Sequence, residues 1–157
     1  MFKVNKLTDY ATVVLIEIAQ SNVVRSSQHF SERTGIPLPT VAKLMKSLNK
    51  AGLVVSQRGA GGGYVLGRKP VDITVADVIQ AVEGPIALTA CADTSDEHCE
   101  MEAVCPMQGK WNKVNQAVRS ALNEVTLADM VDDVAAFGRA RPMAALDSTP
   151  LAISAAK

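Results

Sequence analysis

Between Ser26 and Leu66 the chain carries an order of local signals that few folds accommodate. Ser26 to Thr34 opens on two serines able to cap a helix and ends at Gly35, a good helix stop. Pro39 stands where a first helical turn tolerates proline, and the helix expected there runs to about Ala51 and stops at Gly52. Leu53 to Gln57 and Tyr64 to Leu66 are short β-rich runs flanking Arg-Gly-Ala-Gly-Gly-Gly, which reads as a hairpin with a long glycine tip. A helix is expected before this block, over Thr8 to Gln20, with Tyr10, Val13, Val14 and Ile18 at helical spacing. Another is expected after it, over Thr74 to Val82, ended by Glu-Gly-Pro. Three helices and then a hairpin, with a glycine between the second and third helices, is the order of a winged helix-turn-helix. The expected fold is mostly α with a small β-hairpin wing.

The third helix separates into two faces by counting. Val41, Leu44, Met45 and Leu48 lie at i, i+3, i+4 and i+7 and form the expected buried stripe. Lys43, Lys46 and Lys50 lie on another face, and Thr40 stands near the end that enters the major groove in helix-turn-helix docking. In the wing, Arg58 precedes glycines that leave room for close approach, and a narrow minor groove attracts arginine. Thr40, Lys43, Lys46, Lys50, Arg58, Gly61, Gly62 and Tyr64 make up the expected set of contacts to double-stranded operator DNA. The glycine tip does not read as a nucleotide cradle, because it lacks the Gly-Lys-Ser/Thr ending and runs into no helix.

Charge supports the same division. From Met1 to Pro70 ten Lys and Arg face three acids, a net of +7, while the remaining residues hold six against thirteen, a net of −7. A polyanion-binding half joined to a half with another task accounts for that split, as an alternative to chance segregation of solvated charges. The chain has no apolar run long enough for a bilayer and no signal-peptide core at its start, so no membrane partner and a cytoplasmic location are expected.

Three cysteines are an odd number for a disulfide framework, and reducing compartments disfavour one. Cys91, Cys99 and Cys105 lie in a polar, acidic stretch, where three thiolates can converge on a soft metal or an iron–sulfur cluster, one short of the usual four, so that a fourth ligand comes from elsewhere or the site is open. Free thiols and zinc are the alternatives, although a zinc site would want four ligands in tight pairs. From Pro106 to Val125 apolar residues recur at Met107, Trp111, Val114, Val118, Leu122 and Val125, drawing one helix face. Such a face is too apolar to leave bare on a small protein, so Trp111, Val114, Val118, Leu122 and Val125 are expected at a homodimer interface. The tail from Gly138 is rich in Ala, Pro and Ser and is expected to be disordered. The expected organisation is thus a DNA-binding domain over 1–84, a cluster-binding loop over 85–106, a dimerisation helix region over 107–137 and a tail over 138–157.

Several runs resemble the Rrf2 family of bacterial regulators, which includes the IscR, NsrR and RirA types and regulators of the SUF cluster-assembly system. They are Leu7-Thr-Asp-Tyr-Ala11, Ser31-Glu-Arg-Thr-Gly-Ile36, Ala51-Gly-Leu-Val54, Arg58-Gly-Ala-Gly-Gly-Gly-Tyr64 and Thr126-Leu-Ala-Asp-Met130. The resemblance covers Met1 to about Asp133. It implies a homodimer joined by crossed long helices, Arg58 as a minor-groove arginine, and Cys91, Cys99 and Cys105 as ligands of a 2Fe–2S or 4Fe–4S cluster coupled to operator binding. The run Cys-Pro-Met-Gln-Gly-Lys-Trp-Asn-Lys-Val-Asn is most like the SUF-system regulators.

Two positions depart from the IscR type. Ala42 stands where that type has an acidic, base-reading residue, so its operator sequence does not carry over. Gln108 stands where that type has a histidine ligand. The fourth ligand implied by the NsrR type is Asp9 of the partner subunit, with water, a small thiol or His98 as alternatives. The expected function is a transcriptional repressor sensing cluster, iron or redox status and controlling iron–sulfur assembly or iron-responsive genes. A nitric-oxide-sensing repressor and an iron–sulfur electron carrier are the alternatives. No Ser/His/acid or paired-carboxylate arrangement points to an enzyme with a small-molecule substrate.

Overall fold

The computed structural model describes residues 3–21, 23–59, 61–89, 105–106 and 109–136. The first helix, α1, spans Lys6–Ser21 and buries Ala11, Val14, Leu15 and Ile18 along one stripe. It starts before the expected Thr8 because Asn5 caps it, with Oδ1 accepting from Leu7 N at 3.0 Å. Thr8 is consequently buried inside the first turn, and Val13, expected on the inner stripe, is exposed.

α2 spans Ser27–Thr34 between the expected punctuation marks. Ser26 Oγ accepts from His29 N, and Gly35 closes the helix with φ 72°, a left-handed conformation that glycine adopts without Cβ strain. Side chains stitch the turn that follows. Ser31 Oγ donates to Ile36 O at 2.7 Å, and Thr34 Oγ1 donates to Phe30 O at 2.6 Å while accepting from Ile36 N. α3, Leu38–Lys50, leaves this turn with Pro39 in its first turn.

The wing is an antiparallel pair, β1 (Val54–Gln57) and β2 (Gly63–Leu66), with Val54 opposite Leu66 and Gln57 opposite Gly63. A second partner lies on the free side of β2. Arg25, between α1 and α2, exchanges both backbone bonds with Tyr64, N to O at 3.3 Å and O from N at 2.8 Å. β2 is therefore held from both sides near the wing tip.

α4 spans Val75–Glu83 and begins with a reciprocal cap between Thr74 and Asp77. α5 spans Lys110–Glu124. It starts later than the expected Pro106 because Gly109 sits at φ 69° ahead of its first turn, a conformation that an uninterrupted helix does not pass through. Met107 lies outside the described residues.

Residues 107–137, expected as one dimerisation region, contain a further helix, α6 (Leu127–Ala136). Thr126 and Asp129 form its cap, and Leu127 N donates to Ile73 O while Val75 N donates to Val125 O. α6 packs on α1, and Leu127, 2% exposed, joins the core of Leu15, Phe30, Leu44, Met45, Leu48 and Ile73. Burying a leucine this fully contributes roughly 1.5–3 kcal/mol, so the core built by α1, α2 and α3 is completed by residues well beyond 84.

Candidate nucleic-acid interface and cysteine centre

α3 turns its apolar stripe inward as expected: Val41, Leu44, Met45 and Leu48 are buried. Lys43, Lys46 and Lys50 are exposed along the opposite side, and Thr40 is half-buried near the helix start. The stitched turn before α3 fixes the angle at which this lysine row leaves the body. At the far end, Asn49 Oδ1 accepts from Ser56 N at 3.2 Å, tying the recognition helix to the first wing strand.

Arg58 is exposed at the start of the wing tip. The glycines around it have different reasons to be glycine. A Cβ on Gly61 would meet nothing within 4 Å, so this position is open to a partner. A Cβ on Gly62 would lie 2.7 Å from Gln57 O and 2.9 Å from Gly59 O, and one on Gly63 would collide with the backbone of Arg25. Gly62 and Gly63 are required by the wing's own close packing. Tyr64 is half-buried against the core, and its backbone carries the bridge to Arg25.

The basic side chains divide by what already neutralises them. Arg33 Nε donates to Glu17 Oε1 at 2.8 Å, and this bond raises the guanidinium pKa further. Arg68 Nη1 lies 3.3 Å from Asp77 Oδ2. Lys43, Lys46, Lys50 and Arg58 pair with no acid among the described residues. Arg25, which the sequence reading did not single out, is a further exposed cation beside β2. The β-prone Val-Val-Arg run between two helix caps is the signal that places it there.

Of the three expected metal ligands, Cys105 is half-buried and in no disulfide, while Cys91 and Cys99 lie outside the described residues, as do His98 and Gln108. Asp9 is exposed in the first turn of α1. Among the described residues no three His, Cys, Asp or Glu side chains come together as a metal site. The start of α1 is tied to the end of α4, because Glu83 Oε1 accepts from Asn5 N at 3.2 Å and from Thr8 Oγ1.

The apolar strip of α5 is partly bare. Trp111, Val114 and Val125 are exposed and Val118 is half-buried. Leu122, expected in the same interface, turns toward its own chain and packs against Ala76, Ile79 and Ile86. No helix among the described residues is long and apolar enough to cross a membrane.

The Rrf2 family model, described as iron-dependent transcriptional regulator, matches residues 4–133. The HTH-type transcriptional regulator IscR of Vibrio atlanticus is 36% identical over 127 residues, covering 79% of this chain and 72% of that protein. Protein rrf2 of Nitratidesulfovibrio vulgaris is also 36% identical, over 83% of this chain and 88% of its own length. Among solved structures, IscR of T. potens superposes with a TM-score of 0.64 at 33% identity, over 89% of this chain and 93% of that one. The global cysteine regulator CymR of B. subtilis gives a TM-score of 0.65 at 29% identity, over 85% and 98%. The sequence relatives and the winged-helix geometry agree, and the chain belongs to the Rrf2 family of transcriptional regulators and is not an enzyme.

Proposed function

We propose that this regulator acts in the cytoplasm as a homodimeric repressor whose grip on its operator depends on an iron–sulfur cluster held by Cys91, Cys99 and Cys105. The observation that carries the reading is connectivity. The cysteine segment leaves from α4, which packs against the recognition helix α3, and returns into α5, which bears the bare apolar strip. A change in that segment therefore acts on the elements that set the placement of α3 and on the expected dimer helix together.

The donor set fits such a group. Three thiols are soft ligands, and Cys105 is half-buried and in no disulfide. A bound cluster would supply a redox-sensitive bond set. The chain's own residues would hold it through the three sulfurs, with Asp9 of the partner subunit as the harder, more exchangeable fourth donor. The family description as iron-dependent supports the same reading.

The test is anaerobic reconstitution followed by operator titration of holo- and apo-protein at two salt concentrations. Wild type should take up iron and sulfide, Cys99→Ala should stay colourless, and the two forms should differ in operator affinity. Wild-type protein that binds neither iron nor sulfide would falsify the reading.

A further inference from the structure

Asn115 is the single residue of α5 that is buried, at 5% exposure, and its partners lie 27 and 29 residues upstream. Its Nδ2 donates to Ile86 O at 3.2 Å and its Oδ1 accepts from Leu88 N at 3.2 Å. Those two groups belong to residues i and i+2 on one edge of the chain after α4. The amide pairs with them as a neighbouring strand would. A side-chain amide donates through Nδ2 and accepts through Oδ1, so it satisfies both backbone groups at once.

The position of the clamp matters more than its strength. Leu88 lies three residues before Cys91, and Cys105 lies four residues before Gly109, which precedes the first turn of α5. Asn115 thus fastens the chain entering the cysteine segment to the helix leaving it. Ile86 is secured on its other side by Ala76 and Ile79 of α4. Five residues upstream of Leu88, Glu83 holds the first turn of α1, where Asp9 stands. Residues 83–88 are consequently fixed at both ends, by α1 and by α5.

We propose that Asn115 is a positioning residue, which holds the two stems of the cysteine segment in the register that lets Cys91, Cys99 and Cys105 share one cluster. The inference rests on the cluster reading above. An amide that locks the backbone leading into a ligand segment acts in the manner of outer-sphere partners at other metal sites, where the loss of one lowers metal affinity about tenfold or more.

The experiment compares full-length wild type, Asn115→Ala, Asn115→Asp and Leu122→Ala in two assays. One is oxygen-driven bleaching of the anaerobically reconstituted cluster, and the other is backbone hydrogen exchange at Leu88 in the apo-protein. Asn115→Ala should lose its cluster about tenfold faster and should expose the Leu88 amide. Asn115→Asp keeps the acceptor for Leu88 N but not the donor to Ile86 O, and should fall between. Leu122→Ala removes packing against the cluster of Ala76, Ile79 and Ile86 but leaves both hydrogen bonds of Asn115 in place, and should bleach like wild type with Leu88 still protected.

If Asn115→Ala bleaches at the wild-type rate, the inference falls while the cluster reading stands. If Leu122→Ala bleaches as fast as Asn115→Ala, general packing and not the clamp is responsible, and the inference falls again. If wild type takes up no iron or sulfide, the cluster reading falls and this inference with it, whatever the exchange at Leu88 shows.

Discussion

Replacing Gly63 by alanine should loosen β2 beside the wing tip, where Arg25 holds it, and leave the side chains of the tip unchanged. The new Cβ would sit inside van der Waals contact of Arg25 O and C and 3.0 Å from Ser26 N, all backbone atoms that have no rotamer by which to retreat. Forcing an atom into a packed site of this kind costs about 1–3 kcal/mol. Relief requires β2 to move from residue 25, at the expense of the two Arg25–Tyr64 bonds, worth roughly 0.5–1.5 kcal/mol each. Either way the variant should be destabilised by roughly 1–3 kcal/mol and should lower the urea midpoint by on the order of 1 M. Operator affinity should fall as well, since Arg58 sits at the tip of the strand pair that has lost its anchor. Gly61→Ala is the matched control. Its Cβ meets nothing, so stability should hold or rise slightly, while any close approach of DNA to the tip would appear as weaker binding at unchanged stability. A Gly63→Ala protein with the wild-type midpoint would refute the close-approach argument. A Gly61→Ala protein with wild-type affinity would remove the tip from the DNA contact set.

Three further outcomes are expected. Arg58→Ala should weaken operator binding by about 1–3 kcal/mol, whereas Lys50→Ala should weaken all sequences alike and reduce the salt slope by about one; wild-type titrations for both would remove the docking model. Val114→Glu should give a monomer with the fold intact, because this residue is 46% exposed within its own chain and a charge there is buried only by a partner; a wild-type sedimentation profile would count against α5 as the interface. Asp129 accepts from Thr126 N and Oγ1, and the Thr126 hydroxyl, more than its backbone N–H, holds the carboxyl below the usual range. A carboxyl lowered on folding stabilises above its unfolded value, near 4, and that contribution is lost as pH falls through the folded one. Asp129→Asn should flatten the acid limb of the stability profile, and an unchanged limb would show that this cap does not matter.

What was legible in the sequence was local. Ser26, Gly35, Pro39 and Gly52 punctuate the helices where the structure places them, because caps and turns are decided by residues a few positions apart. The lysine row and the buried stripe of α3 follow from helical spacing alone. The Thr126–Asp129 cap carries the same kind of signal, so α6 was within reach of sequence reasoning, although its docking on α1 was not. Non-local contacts explain the other differences. Leu122 belongs to the apolar strip by periodicity but is claimed by α4 of its own chain, and Asn115 reads as an ordinary polar helix residue until Ile86 and Leu88 are seen beside it. Likewise, glycine composition identifies a flexible tip without separating Gly61, which faces open space, from Gly62 and Gly63, which face backbone.

The docking of α6 on α1 changes what the cysteine segment is. Because Leu127 completes the core begun by α1, that segment does not link two domains. It is an insertion within one, with both ends moored in the same body. The contacts that complete the core, Leu127 among them, do not run through that segment. For the same reason a fragment cut after residue 84 lacks part of its core, and the shortest chain expected to fold as a DNA reader runs through α6.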